Sequence, residues 1–390
     1  MLVEQAARVR KTEVFTRLAK PLLGLGLLTS EGELHERQRR CVSPSMTPRR
    51  VADYGGAMVR HLAGATRSWV DKGTIDVGKE LSTLTFGIAA EAMFGADCAH
   101  HAPAIRSAVD LGTAWLAAES ARLIHLPLWW PTLTNRRLKR ALTSVDGVVK
   151  ELVRRPDSQT LLRDDLLSQL RAHAGPNGLS DSDPRAVRQQ RDEVLTLLVA
   201  GLETTANALS WALFLLATHR EVAERVAEEA RSALEGRPPA AADLPRLPLA
   251  LQVFKETLRL YPPAFHIGRE ALQPVRIREE LLGPGEVAIV NVYGLHRRPD
   301  LFANPERFDP DRFSPQAERV LPRGAYLPFG DGPRGCVGEH FALLEGQLAL
   351  AQLSQTLRFE LVGSQMPTAR AQITLRPQGD LRLRVARRSS

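Results

Sequence analysis

The ten residues Phe329-Gly330-Asp331-Gly332-Pro333-Arg334-Gly335-Cys336-Val337-Gly338 decide the fold of this chain. The glycines permit a sharp turn and let the backbone lie close against a flat partner. The stretch from about Gly338 to about Leu357 has the length and apolar content of a helix. Cys336 therefore stands just ahead of a helix start, where backbone N–H groups and the helix dipole stabilise a thiolate. Arg334 is placed to meet a carboxylate. A single cysteine in a glycine-rich turn is more often a buried structural residue. The complete string outweighs that reading and points to a loop that ligates a cofactor.

Working outward, Glu256-Thr257-Leu258-Arg259 sets opposite charges three residues apart on one helix face, ahead of Leu260-Tyr261-Pro262-Pro263. Alone, such a pair is a surface feature of little worth. Ala200-Gly201-Leu202-Glu203-Thr204-Thr205 lies inside Val187–His219, a long apolar helix. A glycine, an acid and two threonines need a reason there. Packing supplies one: Gly201 allows close approach, and Thr204 bonds back to the carbonyl of Ala200. Local unwinding supplies another, since it leaves a polar notch in the helix. His35-Glu36-Arg37-Gln38-Arg39-Arg40 sets His35 and Arg39 four residues apart on a basic helix, whose default is a solvated face.

These four motifs, in this order, resemble those of the cytochrome P-450 family, and the resemblance runs from about Glu13 to the C-terminal strands. It implies a mainly α, triangular fold with a small β region. It also implies one haem b, with Cys336 as the axial ligand of the iron. Phe329, Gly330, Arg334 and Gly338 would shape the haem loop, and Ala200 and Gly201 would border the haem from the long helix. His35, Arg39, Arg269 and Arg334 would meet the two propionates. Glu203 and Thr204 would be the acid–alcohol pair that passes protons to bound O2, the co-substrate. Glu256, Arg259 and Arg312 would form a buried triad fixing the core around the loop, with Arg307 a less apt third member.

The implied reaction is insertion of one oxygen atom of O2 into a C–H or C=C bond of a lipophilic small molecule, the other atom leaving as water. The thiolate would push electron density onto iron. Electrons would come from a separate ferredoxin and ferredoxin reductase. A haem-thiolate isomerase, dehydratase or peroxygenase is a rival, although such variants often lose the acid–alcohol pair that this chain keeps. The other rival is a non-catalytic haem-binding protein or an inactive truncated form. The motif of His35 and Arg39 comes early, so residues 1–390 read as a single catalytic domain lacking the usual N-terminal helix and first strands. The implied substrate pocket draws on Phe15 to Leu27, Leu123 to Thr132, Leu197, Ala200, Thr204, and Ala264 to Ile267. Leu126-Pro127-Leu128-Trp129-Trp130-Pro131 would be either an entrance rim or a buried loop.

The bulk composition agrees with a soluble globular protein: 44% hydrophobic and 25% charged residues. The net charge is +8, and the basic residues are scattered without a nucleic-acid motif. Cys41, Cys98 and Cys336 show no Cys-x-x-Cys spacing, which argues against disulfides and structural zinc and for a cytoplasmic setting. No apolar run approaches the ~18–20 residues of a membrane span. Further expected helices are Gly78–Met93, Leu138–Arg155 and Arg220–Glu235, with a surface loop over Ala172–Asp183. Val275–Ile277 and Val287–Val290 read as strands joined by a turn, and Ile373–Leu375 with Leu381–Val385 as a hairpin.

Overall fold

The computed structural model describes residues 1–95, 98–120, 122, 127–154, 166–172, 183–364 and 366–388. Helices α1 (Glu13–Leu23), α2 (Gly32–Val42), α3 (Pro48–Lys72), α4 (Val77–Phe94), α5 (Ala102–Ser120), α6 (Leu133–Arg154) and α7 (Leu166–Ala172) precede the 35-residue α8 (Pro184–Thr218). After it come α9 (Arg220–Leu234), α10 (Pro248–Leu260), the short α11 (Val292–Leu295) and α12 (Pro315–Arg319), and α13 (Glu339–Thr356).

Helix α8 starts where the sequence provides both a cap and a proline. The Asp183 side chain accepts from the N–H of Arg185, and Pro184 occupies the first turn, where a missing N–H costs nothing. From Val194 to Leu216 it is largely buried, with α4 and α13 packed along it. Among the described residues it is the one helix long and apolar enough to cross a membrane, and 67% of its most apolar window is buried inside the fold. This corrects the expectation that no apolar run approaches that length: α8 does, as a core helix. The Thr85 hydroxyl of α4 donates to the carbonyl of Leu202 across the contact (3.1 Å).

The strands are short. β1 (Val9–Arg10), β3 (His266–Ala271) and β6 (Val287–Asn291) form an antiparallel sheet in the order β1-β3-β6. β6 lies at its edge and exposes Val287 and Ile289. β2 (Thr74–Asp76), β10 (Arg382–Arg387) and β7 (Leu357–Leu361) form a second sheet with β10 central. β4 (Val275–Ile277) pairs with β5 (Glu280–Leu282), and β8 (Ala369–Ala371) with β9 (Leu375–Pro377).

Two expected pairings are therefore corrected. Val275–Ile277 does not pair with Val287–Val290, because the tighter partner Glu280–Leu282 intervenes and β6 joins β3 instead. The C-terminal stretches form no mutual hairpin either; Leu375 belongs to β9, while β10 bridges β2 and β7. The expected loop over Ala172–Asp183 lies largely outside the described residues.

Helices α13 and α10 meet at Gly346, where a Cβ atom would fall 2.6 Å from ring carbons of Phe254. Gly346→Ala should therefore cost about 1–3 kcal/mol through overpacking. Thermal denaturation measures it, and the companion Phe254→Leu change should restore part of the loss.

Candidate active site

The loop before α13 is built by backbone conformations that require glycine. Gly330 and Gly332 have φ of +70° and +72°, a region side-chain-bearing residues rarely adopt. The Cys336 N–H donates to the carbonyl of Phe329 (2.8 Å), and that of Gly335 to Gly332 (2.9 Å). Gly338 then caps α13. The Cys336 side chain is exposed, alone among the three free cysteines. Desolvation by the surrounding protein pushes its thiol pKa up, opposed by the N–H of Gly338 and, more weakly, by Arg39. A metal cation at the sulfur would reverse that shift and deprotonate it.

A cationic wall surrounds this loop. Arg39 of α2 donates to the carbonyl of Gly335 (2.7 Å), which ties the loop to that helix. Arg334 pairs through one nitrogen with Glu31 (2.5 Å), while its buried Nη1 has no hydrogen-bond partner among the described residues. Arg269 of β3 donates to the carbonyl of Gly268 (2.8 Å), and burial, then Arg334, lower its pKa. Lys11 donates to the carbonyls of Leu27 and Ser30, and burial drives its pKa down to about 7. His35 is buried among these groups and held neutral, its pKa pushed to about 3 by burial and then by Lys11, Arg334, Arg39 and Arg269.

Against these cations stands the carboxylate of Glu31. Excess buried positive charge with an orphaned guanidinium nitrogen calls for anions. A flat group bearing two carboxylates and a metal for Cys336 fits this site.

Sequence reasoning missed Lys11 and Glu31. It also missed Asp192 and Glu193, which accept from the N–H groups of Leu25 (2.8 Å) and Leu27 (3.1 Å) and hold residues 24–31 against α8. The glycines at 24 and 26 were the available signal, since a side chain at either would run into α8.

Beneath the loop, Glu256 and Arg259 are fully buried and paired through two bonds of 2.7 and 2.8 Å. Arg312 is the third member, 3.5 Å from Glu256. Arg307 contributes its carbonyl to Arg259. The remaining donors of Arg259 go to the carbonyls of His296 and Pro305, and Glu256 also accepts from the N–H of Asp309. His296 was not foreseen. Its Nε2 accepts from the N–H of Leu327 (2.9 Å), which leaves Nδ1 to donate to the carbonyl of Arg259 (3.3 Å). Burial lowers its pKa to about 4.

In α8 the Thr204 hydroxyl donates to the carbonyl of Ala200 (2.6 Å), and the helix runs unbroken through Gly201. The expected unwinding is absent: the back-bond satisfies the hydroxyl without opening the helix. Glu203 accepts from Thr374 (2.6 Å), itself contacted by Asn207 (3.1 Å). Burial raises the Glu203 pKa, and the Thr374 bond opposes that rise.

Glu203 borders an apolar cavity enclosing about 690 Å³ of empty space, part of it open to solvent. α1 lines it through Phe15, Ala19, Leu22 and Leu23, as expected. α8 does so through Leu195 and Val199, rather than Leu197, Ala200 and Thr204, because residues four apart share a face. Ala264 to Ile267 do not line it, whereas α5 does through Ile105, Ala108 and Gly112. Residues 123–126 lie outside the described residues, and Trp129 and Trp130 are exposed rather than buried.

Thiol, cationic wall, buried triad and apolar cavity on a helical fold are the parts of a haem-thiolate enzyme. The cytochrome P-450 family model matches residues 2–383, and the chain belongs to that family, as a monooxygenase. It is 36% identical to cyclooctatin synthase of Streptomyces melanosporofaciens over 94% of this chain and 79% of that protein. It is 33% identical to cyclooctat-9-en-7-ol 5-monooxygenase of the same organism, over 88% and 74%. A solved structure of cyanobacterial CYP120A1 with retinoic acid bound superposes with a TM-score of 0.86 at 27% identity, covering 99% of this chain and 86% of that one.

Glu256→Ala would leave Arg259 buried without its counter-charge, at a cost of about 3–5 kcal/mol. Urea denaturation should show that loss, and the purified variant should carry less haem. Acid should also weaken the fold. His296 has its ordinary pKa of 6.5 when unfolded and about 4 when folded. The unfolded chain therefore binds more protons in this window, and stability falls as pH drops from 6.5 to about 4. Unfolding free energies across that range check the slope.

Proposed function

We propose that this chain holds haem b on Cys336 and inserts one oxygen atom of O2 into a C–H or C=C bond of a lipophilic, cyclic hydrocarbon-like molecule. The carrying observation is an exposed thiol and, in the same loop, a buried guanidinium nitrogen of Arg334 with no hydrogen-bond partner among the described residues. Haem, when bound, supplies the redox-active iron that activates dioxygen, and an axial thiolate adds electron density to it. His35, Arg39, Arg269 and Arg334 hold the propionates, and the backbone at Phe329, Gly330 and Gly338 shapes the loop around the sulfur. Ala200 and Gly201 leave the helix face beside the haem free of bulk.

The Thr204 hydroxyl holds a proton at that face, once its bond to the Ala200 carbonyl is exchanged. Glu203, its pKa raised by burial, stands next to Thr204 in sequence and resupplies that hydroxyl with a proton. Thr374 restrains the Glu203 carboxyl by donating to it. Glu256, Arg259 and Arg312 bear on the reaction by keeping the loop in place.

Residues 1–390 act as one catalytic domain, and electrons come from a separate ferredoxin and its reductase, or their equivalent. The protein works in the cytoplasm, a reading that its similarity to bacterial relatives supports. The substrate class rests on the cavity's apolar lining and on the relative named for cyclooctat-9-en-7-ol, a cyclic unsaturated alcohol.

The reduced protein under CO should give the long-wavelength Soret band of thiolate-ligated haem, and Cys336→His should lose it. A wild-type band at the histidine-type position would overturn the assignment. Thr204→Ala should keep consuming reductant while product per electron pair falls several-fold and hydrogen peroxide rises. Glu203→Gln should slow turnover by about 10²-fold.

A further inference from the structure

We propose that the hydroxyl of Thr113, on α5, holds an oxygen atom that the substrate already carries. The substrate is then a ring system bearing an alcohol or a ketone, not a bare hydrocarbon. This deepens the proposed function and rests on it.

The described lining of the cavity beside Glu203 is apolar except at two residues, Glu203 and Thr113. The Glu203 carboxyl is already engaged by the Thr374 hydroxyl (2.6 Å). Thr113 is not engaged. The residue is 6% exposed, and its hydroxyl has no hydrogen-bond partner among the described residues, yet protein does not seal that oxygen in. The space beside it is the cavity.

A threonine inside a helix ordinarily needs no outside partner, because its hydroxyl returns to the carbonyl four residues back. Thr66, Thr83, Thr143, Thr257 and Thr356 all do so here, at 2.8–3.1 Å. Thr113 makes no such bond to Val109, so its hydroxyl is free to serve a ligand. Ala108 and Gly112 flank it and keep that wall free of bulk; a Cβ on Gly112 would come within 3.6 Å of Leu22.

Chemistry then narrows the ligand. A hydrocarbon filling the cavity would exclude water and leave the hydroxyl unpaired in apolar surroundings, which weakens binding. A hydroxyl or ketone on the ligand restores the bond, and a few placed polar groups in an apolar pocket fix orientation. Thr113 belongs to α5, whereas the proton-holding face belongs to α8. The oxygen already present is anchored on one wall while a carbon elsewhere on the ring reacts. For an alcohol, a C–H bond breaks and C–O and O–H bonds form. The second atom of O2 leaves as water, with two electrons from the reductant and two protons, and the product is a diol. The enzyme therefore acts second. Its substrate comes from a reaction that installs the first oxygen, either an earlier hydroxylation or a ring closure ended by capture of water.

The test uses the haem-loaded protein and three probes of one ring size: cyclododecane, cyclododecanol and cyclododecanone. Calorimetry reads binding without any iron-centred signal. Wild type should bind an oxygenated ring about 10–100-fold more tightly than the hydrocarbon. Preference for the alcohol alone supports a substrate hydroxyl, and preference for the ketone alone a substrate ketone. Thr113→Val keeps the shape, removes the hydroxyl, and should bring all three probes within about threefold of one another. Thr113→Ser should retain most of the preference. An unchanged CO spectrum in Thr113→Val separates lost recognition from lost folding. Equal binding of the three probes by wild type would overturn the proposal, as would a preference that Thr113→Val keeps, or failure of both oxygenated rings to bind. A thiolate-type CO band together with equal binding sinks this inference and leaves the proposed function standing. A histidine-type band with the Thr113-dependent preference intact does the reverse.

Discussion

The buried pair Glu256–Arg259 is the constraint on which the ligand loop depends. Two charges taken wholly out of water are tolerable when every donor and acceptor is matched. Here the matches lie in irregular chain: the carbonyls of His296, Pro305 and Arg307, the N–H of Asp309, and Arg312. A coil with no ladder of its own is thereby given a fixed course. His296 extends that order by accepting from the N–H of Leu327, two residues before the loop begins. A well-packed apolar replacement could match the volume, but not the directed bonds that hold the coil.

The second organising force is unbalanced charge. Lys11, Arg39, Arg269 and Arg334 crowd around a neutral His35, and Glu31 offsets part of their charge. Such a wall is costly in isolation and favourable once anions enter it. Binding of an acidic cofactor and stability of the surrounding fold are therefore linked by mass action. The strap of residues 24–31, which carries Glu31, is itself held by Asp192 and Glu193 of α8, so the cationic wall and the long helix share one support.

That helix serves two ends along its length. Its buried faces make the core against α4 and α13. Leu195, Val199 and Glu203, four residues apart, share a face toward the apolar cavity. The single acid in that row is restrained by Thr374, from a segment 171 residues away. An acid in an apolar wall needs such a partner, or burial would leave it unsatisfied.

The class of fold, the glycine-rich loop that presents Cys336, and the triad of Glu256, Arg259 and Arg312 were legible in the sequence alone. Those signals are local: glycines at strained φ, charges three residues apart on one helix turn, a string read within ten residues. It also foresaw that Arg39 and Arg334 lie at the loop. It misjudged what depends on chain segments meeting. The strand partners of Val275–Ile277 and Val287–Asn291 were set by pairing competition that periodicity does not encode. Of the two readings of the Gly201 region, the local back-bond from Thr204 to Ala200 holds and the unwinding does not. His296, Lys11, Glu193 and Thr374 carry no motif; each acts through a partner distant in sequence. Their roles were decided by tertiary structure, because a buried polar group takes its function from whatever packing brings within hydrogen-bond reach.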